Sequence, residues 1–68
     1  MGFARLTHAT SRRQALYINP DNVVALETLA NGHTMIYTTV ASGGGVFQMP
    51  VMEDIETTTS MLEQAQRR

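Results

Sequence analysis

Two adjacent arginines, Arg12 and Arg13, follow Ser11 in the polar stretch TSRR, and three consecutive glycines, Gly43–Gly45, follow Ser42 in TVASGGGVF. A guanidinium offers planar, paired donors to phosphate or carboxylate. Bare glycine backbone lets amides approach an anion closely. Tyr17 and Tyr37 add rings able to stack on a base. Arg12, Arg13, Ser42, Gly43, Gly44, Gly45, Tyr17 and Tyr37 are therefore the candidate ligand-binding residues. An anion pocket results only if the first turn and the glycine loop meet at one end of the fold. Each feature also has a plain structural reading. Exposed turn arginines are ordinarily solvated, a glycine run serves as a hairpin tip, and Tyr17, Tyr37 and Phe47 serve as core or subunit interface.

Catalytic and metal chemistry is poorly represented. A phosphate-binding loop of the G-x-x-x-x-G-K-[ST] type must open onto a helix, whereas this glycine run contains no lysine and leads into VFQMPV, a strand pattern. The histidines, His8 and His33, lie 25 positions apart with no second ligand at i+2 or i+4, and there is no cysteine. Metal ligation is accordingly not expected. No serine occupies a G-x-S-x-G elbow. Glu53, Asp54 and Glu56 suit a helix start, and Asn19-Pro20-Asp21 suits a bend. The chain is expected to be non-enzymatic and to need no cofactor.

The elements that must position these residues follow from periodicity. FARLTHA alternates, TSRR turns, and ALYIN alternates again. NPDN breaks the pattern, because Pro20 lacks an amide and Asp21 and Asn22 bond nearby backbone. VVALETL is a third strand, Asn31-Gly32 a hairpin signal, TMIYTTV a fourth strand and VFQMPV a fifth. From Met52 the spacing of Met52, Ile55, Leu62 and Ala65, with Thr59 in the gap, is helical. The expected architecture for residues 1–68 is a single domain of the α+β class, mainly β. It is a five-stranded antiparallel meander with one C-terminal α-helix, and barrel-like if the sheet closes.

Composition limits what such a fold does. The chain has 68 residues, 43% hydrophobic and 16% charged, with net charge −1. Near-neutral charge argues against a general nucleic-acid binder, and no apolar run approaches the roughly 20 residues that span a bilayer. With no signal-peptide pattern in MGFARLTHATSRR, a cytoplasmic location is expected. A chain this short buries only about 60% of its unfolded surface. The strand residues divide into Leu6, Leu16, Ile18, Val24, Leu26, Met35, Tyr37, Phe47 and Met49 on one face, and Phe3, Ala15, Tyr17, Val23, Ala25, Ile36, Val40 and Val46 on the other. Both sets are apolar, and one helix covers one face. The excess predicts a homo-oligomer with pockets between subunits.

The run RLT…YINPDNVVALE…GHTMIYT, carried by Leu6, Thr7, Tyr17, Ile18, Asn19, Pro20, Asp21, Val24, Glu27, Thr34, Ile36 and Glu53, resembles the small FlbD-type (swarming-motility D-type) family over nearly the whole chain. The VASGGG insertion and the EQAQRR ending depart from the family pattern. The resemblance implies a non-enzymatic motility regulator acting through protein–protein contact. Proteins of similar pattern also occur on phages and mobile elements. There the candidate residues suit a different role, capture of a small phosphate-bearing, nucleotide-type ligand, as sequestering anti-defence proteins do.

Overall fold

The computed structural model describes residues 2–10, 12–39 and 45–66. Five strands, β1 (Ala4–Thr7), β2 (Ala15–Ile18), β3 (Val23–Thr28), β4 (Thr34–Thr39) and β5 (Val46–Val51), precede the helix α1 (Ile55–Gln66). All pairings are antiparallel: β1 with β2 in one sheet, and β3, β4 and β5 in a second. The α+β, mainly β, architecture expected from the sequence is the one found. Among the described residues the strands form no closed barrel.

The meander is interrupted between β2 and β3 for a local reason. Pro20–Asn22 form a 3-10 turn. It is capped by the Asn19 side chain, which accepts the Asp21 N–H at 3.0 Å. The turn carries β3 away from β2, so these consecutive strands do not pair. The two sheets instead meet through the chain's early and late segments. His8 bridges to Val51, Ala9 N–H donates to the Pro50 carbonyl at 2.9 Å, and Met52 N–H donates to the Thr7 carbonyl at 2.8 Å. This seam is short, joining residues 7–9 to residues 50–52 at the ends of β1 and β5.

The β3–β4 hairpin closes as Asn31-Gly32 predicts, but with a longer loop than the tightest hairpin. Leu29 N–H donates to His33 O and Gly32 N–H to Leu29 O, and of the two loop residues only Gly32 takes a positive φ, +87°. This is a type I turn followed by a left-handed glycine.

One core lies between the sheets and beneath α1, built from Ala4, Leu6, Ile18, Ile36, Val51, Leu62 and Ala65. The register corrects the expected division of faces. Ile36 points inward while Met35 and Tyr37 point outward, and a bulge between Val23 and Ala25 brings Val23 and Leu26 to the inner side together. The helix begins later than its spacing suggests, at Ile55. Its buried stripe passes through Thr58, Leu62 and Ala65, so Thr58 rather than Thr59 fills the gap. Twelve residues of helix extend only about 18 Å. Phe3, Tyr17, Val24, Val46 and Phe47 are left exposed.

Candidate functional site

The candidate residues of the sequence occupy separate places. Arg12 and Arg13 are exposed in the β1–β2 turn. There Arg13 N–H donates to Thr10 O at 3.1 Å, and Arg13 holds a left-handed φ of +49°. Ser42, Gly43 and Gly44 lie outside the described residues. Gly45 has φ +96°, a conformation that suits glycine, and immediately precedes β5. The Ala9–Pro50 bond seats the first turn beside the far half of β5, and Gly45 sits at that strand's opposite end. Between them lie five residue steps, about 17 Å of strand. Tyr17 faces outward from β2, and Tyr37 outward from β4.

A cleft of about 310 Å³ opens instead where the sheet fails to close, between β2, the 3-10 turn and β4. Leu16, Ile18 and Met49 give it apolar walls, and they are the same side chains that border the core. Asn19, Asn22, Thr38 and Thr39 add amide and hydroxyl groups, and Tyr17 stands at the rim. The turn's own bonds position this polar edge. Asn22 N–H donates to Asn19 O at 3.0 Å, and Thr39 Oγ1 reaches Asn22 O at 3.5 Å. Among the described residues, its wall contains no ionised group.

Two features tie this cleft to residues singled out in the sequence. Thr39 pairs with Val46, so Gly45, the described end of the glycine run, adjoins the cleft's outer edge. Phe47 pairs with Thr38 and therefore shares its inward face, yet 59% of Phe47 is exposed because α1 does not extend that far. Neither this cleft nor a smaller one between β1 and α1 has Arg12 or Arg13 in its wall. Asn19 and Asn22 were legible as bend formers, and Thr38 and Thr39 as strand residues. Their shared cleft depends on β2 and β4 facing each other, which no local pattern encodes.

The histidines are apart as well. His8 sits on the seam between the sheets, where its Nδ1 is buried without a hydrogen-bond partner. His33 follows the Asn31-Gly32 loop. Among the described residues, no three of His, Cys, Asp and Glu come together as a metal site would require. Among the described residues, no helix is long and apolar enough to cross a membrane.

No family model matches this chain, and neither a curated protein nor a solved structure shows significant similarity to it.

Proposed function

We propose that this chain is a non-catalytic, oligomeric binding protein that captures a small phosphate-bearing ligand of nucleotide type. The observation carrying this reading is the uncharged cleft of about 310 Å³ between β2 and β4, apolar in its walls and edged by two amides and two hydroxyls. Apolar walls with a few fixed polar groups suit a planar heterocycle, whose edge is read by hydrogen bonds. Tyr17 and Phe47 offer stacking surfaces beside it. The phosphate would project past Thr39 toward Gly45, where positive-φ backbone suits close approach of an anion. In an assembly, Arg12 and Arg13 of a neighbouring copy would supply the cations that the cleft lacks. Sequestration of a nucleotide signal, as by a phage anti-defence protein, is the role this chemistry fits.

Calorimetry against a panel of linear and cyclic nucleotides tests the reading. Binding is expected, weakened about tenfold or more by Asn22→Ala, which removes an edge-reading amide. No heat from any nucleotide, or binding untouched by both Asn22→Ala and Phe47→Ala, would overturn it.

A second reading has its own support. Phe3 and Tyr17 are 66% and 65% exposed, and exposed aromatics of this kind often anchor protein partners. With the FlbD-type resemblance, they favour a motility regulator that docks on another protein. Pull-down from a flagellated host should then recover a motility component with the wild type and not with the Phe3→Ser, Tyr17→Ser double variant. Equal recovery by both would refute it.

A further inference from the structure

Each sheet presents one exposed ionised residue on its outer side. On the β1–β2 hairpin, Arg5 stands opposite Tyr17, and Phe3 precedes it by two positions on the same side. All three are exposed. On the other sheet, Ala25 pairs with Tyr37 and Glu27 with Met35. The Tyr37 hydroxyl donates to Glu27 Oε1 at 2.8 Å, which steadies that carboxylate above an apolar and aromatic surface. Among the described residues, these register rows contain one cation on the first face and one anion on the second.

We infer that the outer face of the β1–β2 hairpin docks on the outer face of β3–β4 of a second copy of this chain, with Arg5 meeting Glu27. The occupant follows from complementarity. A guanidinium flanked by two rings matches a held carboxylate flanked by Tyr37, Met35 and Ala25, since Arg–carboxylate pairs bond in a planar, paired geometry and aromatic residues with arginine dominate interface anchors. The two faces turn away from a shared core, so one copy cannot satisfy both through a single self-matching contact. The interface is heterologous and propagates head to tail, so the assembly is larger than a dimer. It would place Tyr37 of the second copy near Tyr17, at the rim of the β2–β4 cleft, and so it deepens the reading of sites built between subunits.

Native mass spectrometry and light scattering of the full chain, without ligand, test this directly. The wild type is expected to be larger than a dimer. Arg5→Glu and Glu27→Arg should each reduce the mass toward that of a single chain. The double exchange in one chain re-creates the charge pairing at every contact and should restore the wild-type mass, while an equimolar mixture of the two single variants pairs them alternately and should restore assembly beyond a single chain. If a single variant fails to fold alone, the double exchange decides: recovery of folded, full-sized assembly supports the interface, and no recovery overturns it. A solitary wild-type chain, which would leave both faces for a different partner, also overturns it, as do single variants of unchanged mass. Because no ligand is present, an intact assembly that binds no nucleotide would sink the ligand reading and leave this interface standing.

Discussion

The carboxylate of Glu53 accepts the backbone N–H of Thr7 on both oxygens, at 3.0 and 3.2 Å, across 46 positions of sequence. The same residue's carbonyl accepts the Thr34 hydroxyl at 2.9 Å. One residue thus fastens the end of β1 and the start of β4 to the segment leading into α1. Hydrogen bonds to an ionised group contribute about 1.5–3 kcal/mol. Glu53→Ala should therefore lower unfolding free energy by about that amount in a denaturant titration. Glu53→Gln, which keeps one acceptor oxygen, should cost less. Equal stability of all three chains would remove Glu53 from this role.

Leu62 faces the core from α1 and is 7% exposed. Its truncation to alanine should cost about 2–5 kcal/mol through lost burial and a residual cavity. Phe47→Ser, at an exposed position beyond the helix, should cost far less in the same assay. A larger loss from Phe47 than from Leu62 would contradict the packing.

Asp54 caps α1, its Oδ1 accepting the Thr57 N–H at 2.8 Å. That backbone bond, assisted by the Thr57 side chain, holds the Asp54 carboxyl below its ordinary value. A depressed folded-state pKa gives stability that is complete above the unfolded-state value, about 3.9, and is lost as pH falls through the folded-state value. Stability measured across that acid range should drop in the wild type. Asp54→Asn, which retains a cap acceptor but does not titrate, should show a shallower drop. Parallel curves would count against the cap.

Tyr37 is displaced the opposite way. Its hydroxyl bond to Glu27, and to a lesser degree desolvation and the carboxylate's charge, raise the phenol above its ordinary value. The neutral phenol is the form favoured on folding, so this contribution is present below the usual tyrosine range and is lost as pH rises through the folded-state value. In a Tyr17→Phe background, which leaves Tyr37 as the reporting phenol, phenolate absorbance should rise at lower pH in Glu27→Gln than with Glu27 in place, and an unmoved transition would deny the contact.

Arg13 adopts a left-handed φ of +49°, a conformation that costs a residue with a Cβ about 1 kcal/mol. Arg13→Gly should therefore leave stability unchanged or raise it by up to about 1 kcal/mol. A clear loss would mean that the arginine side chain itself supports the turn.

How much of this was legible before folding depends on the distance over which each feature is decided. The five strands follow from local alternation, and the turn at Pro20 from a missing amide. The β1–β5 seam joins His8 to Val51, and neither segment carries a mark of that partnership. The bulge at Val23 is equally silent in sequence, yet it turns Val23 inward in place of Val24 while Leu26 keeps its side. Met52 and Glu53 look helical by spacing, but tertiary bonds to Thr7 hold them out of the helix. The cleft was hidden for a related reason: Asn19 and Thr38 meet only because the 3-10 turn keeps β2 and β3 from pairing.

The Gly2 N–H donates to the Ala65 carbonyl at 3.2 Å, so the first and last elements of the chain finish side by side. During synthesis on the ribosome, β1 would have to wait for α1, some fifty residues later, before gaining its helical cover. Joining Gln66 back to Gly2 with a short peptide and opening the chain in the Asn31-Gly32 loop would yield a permuted chain whose early segments already contain their own partners.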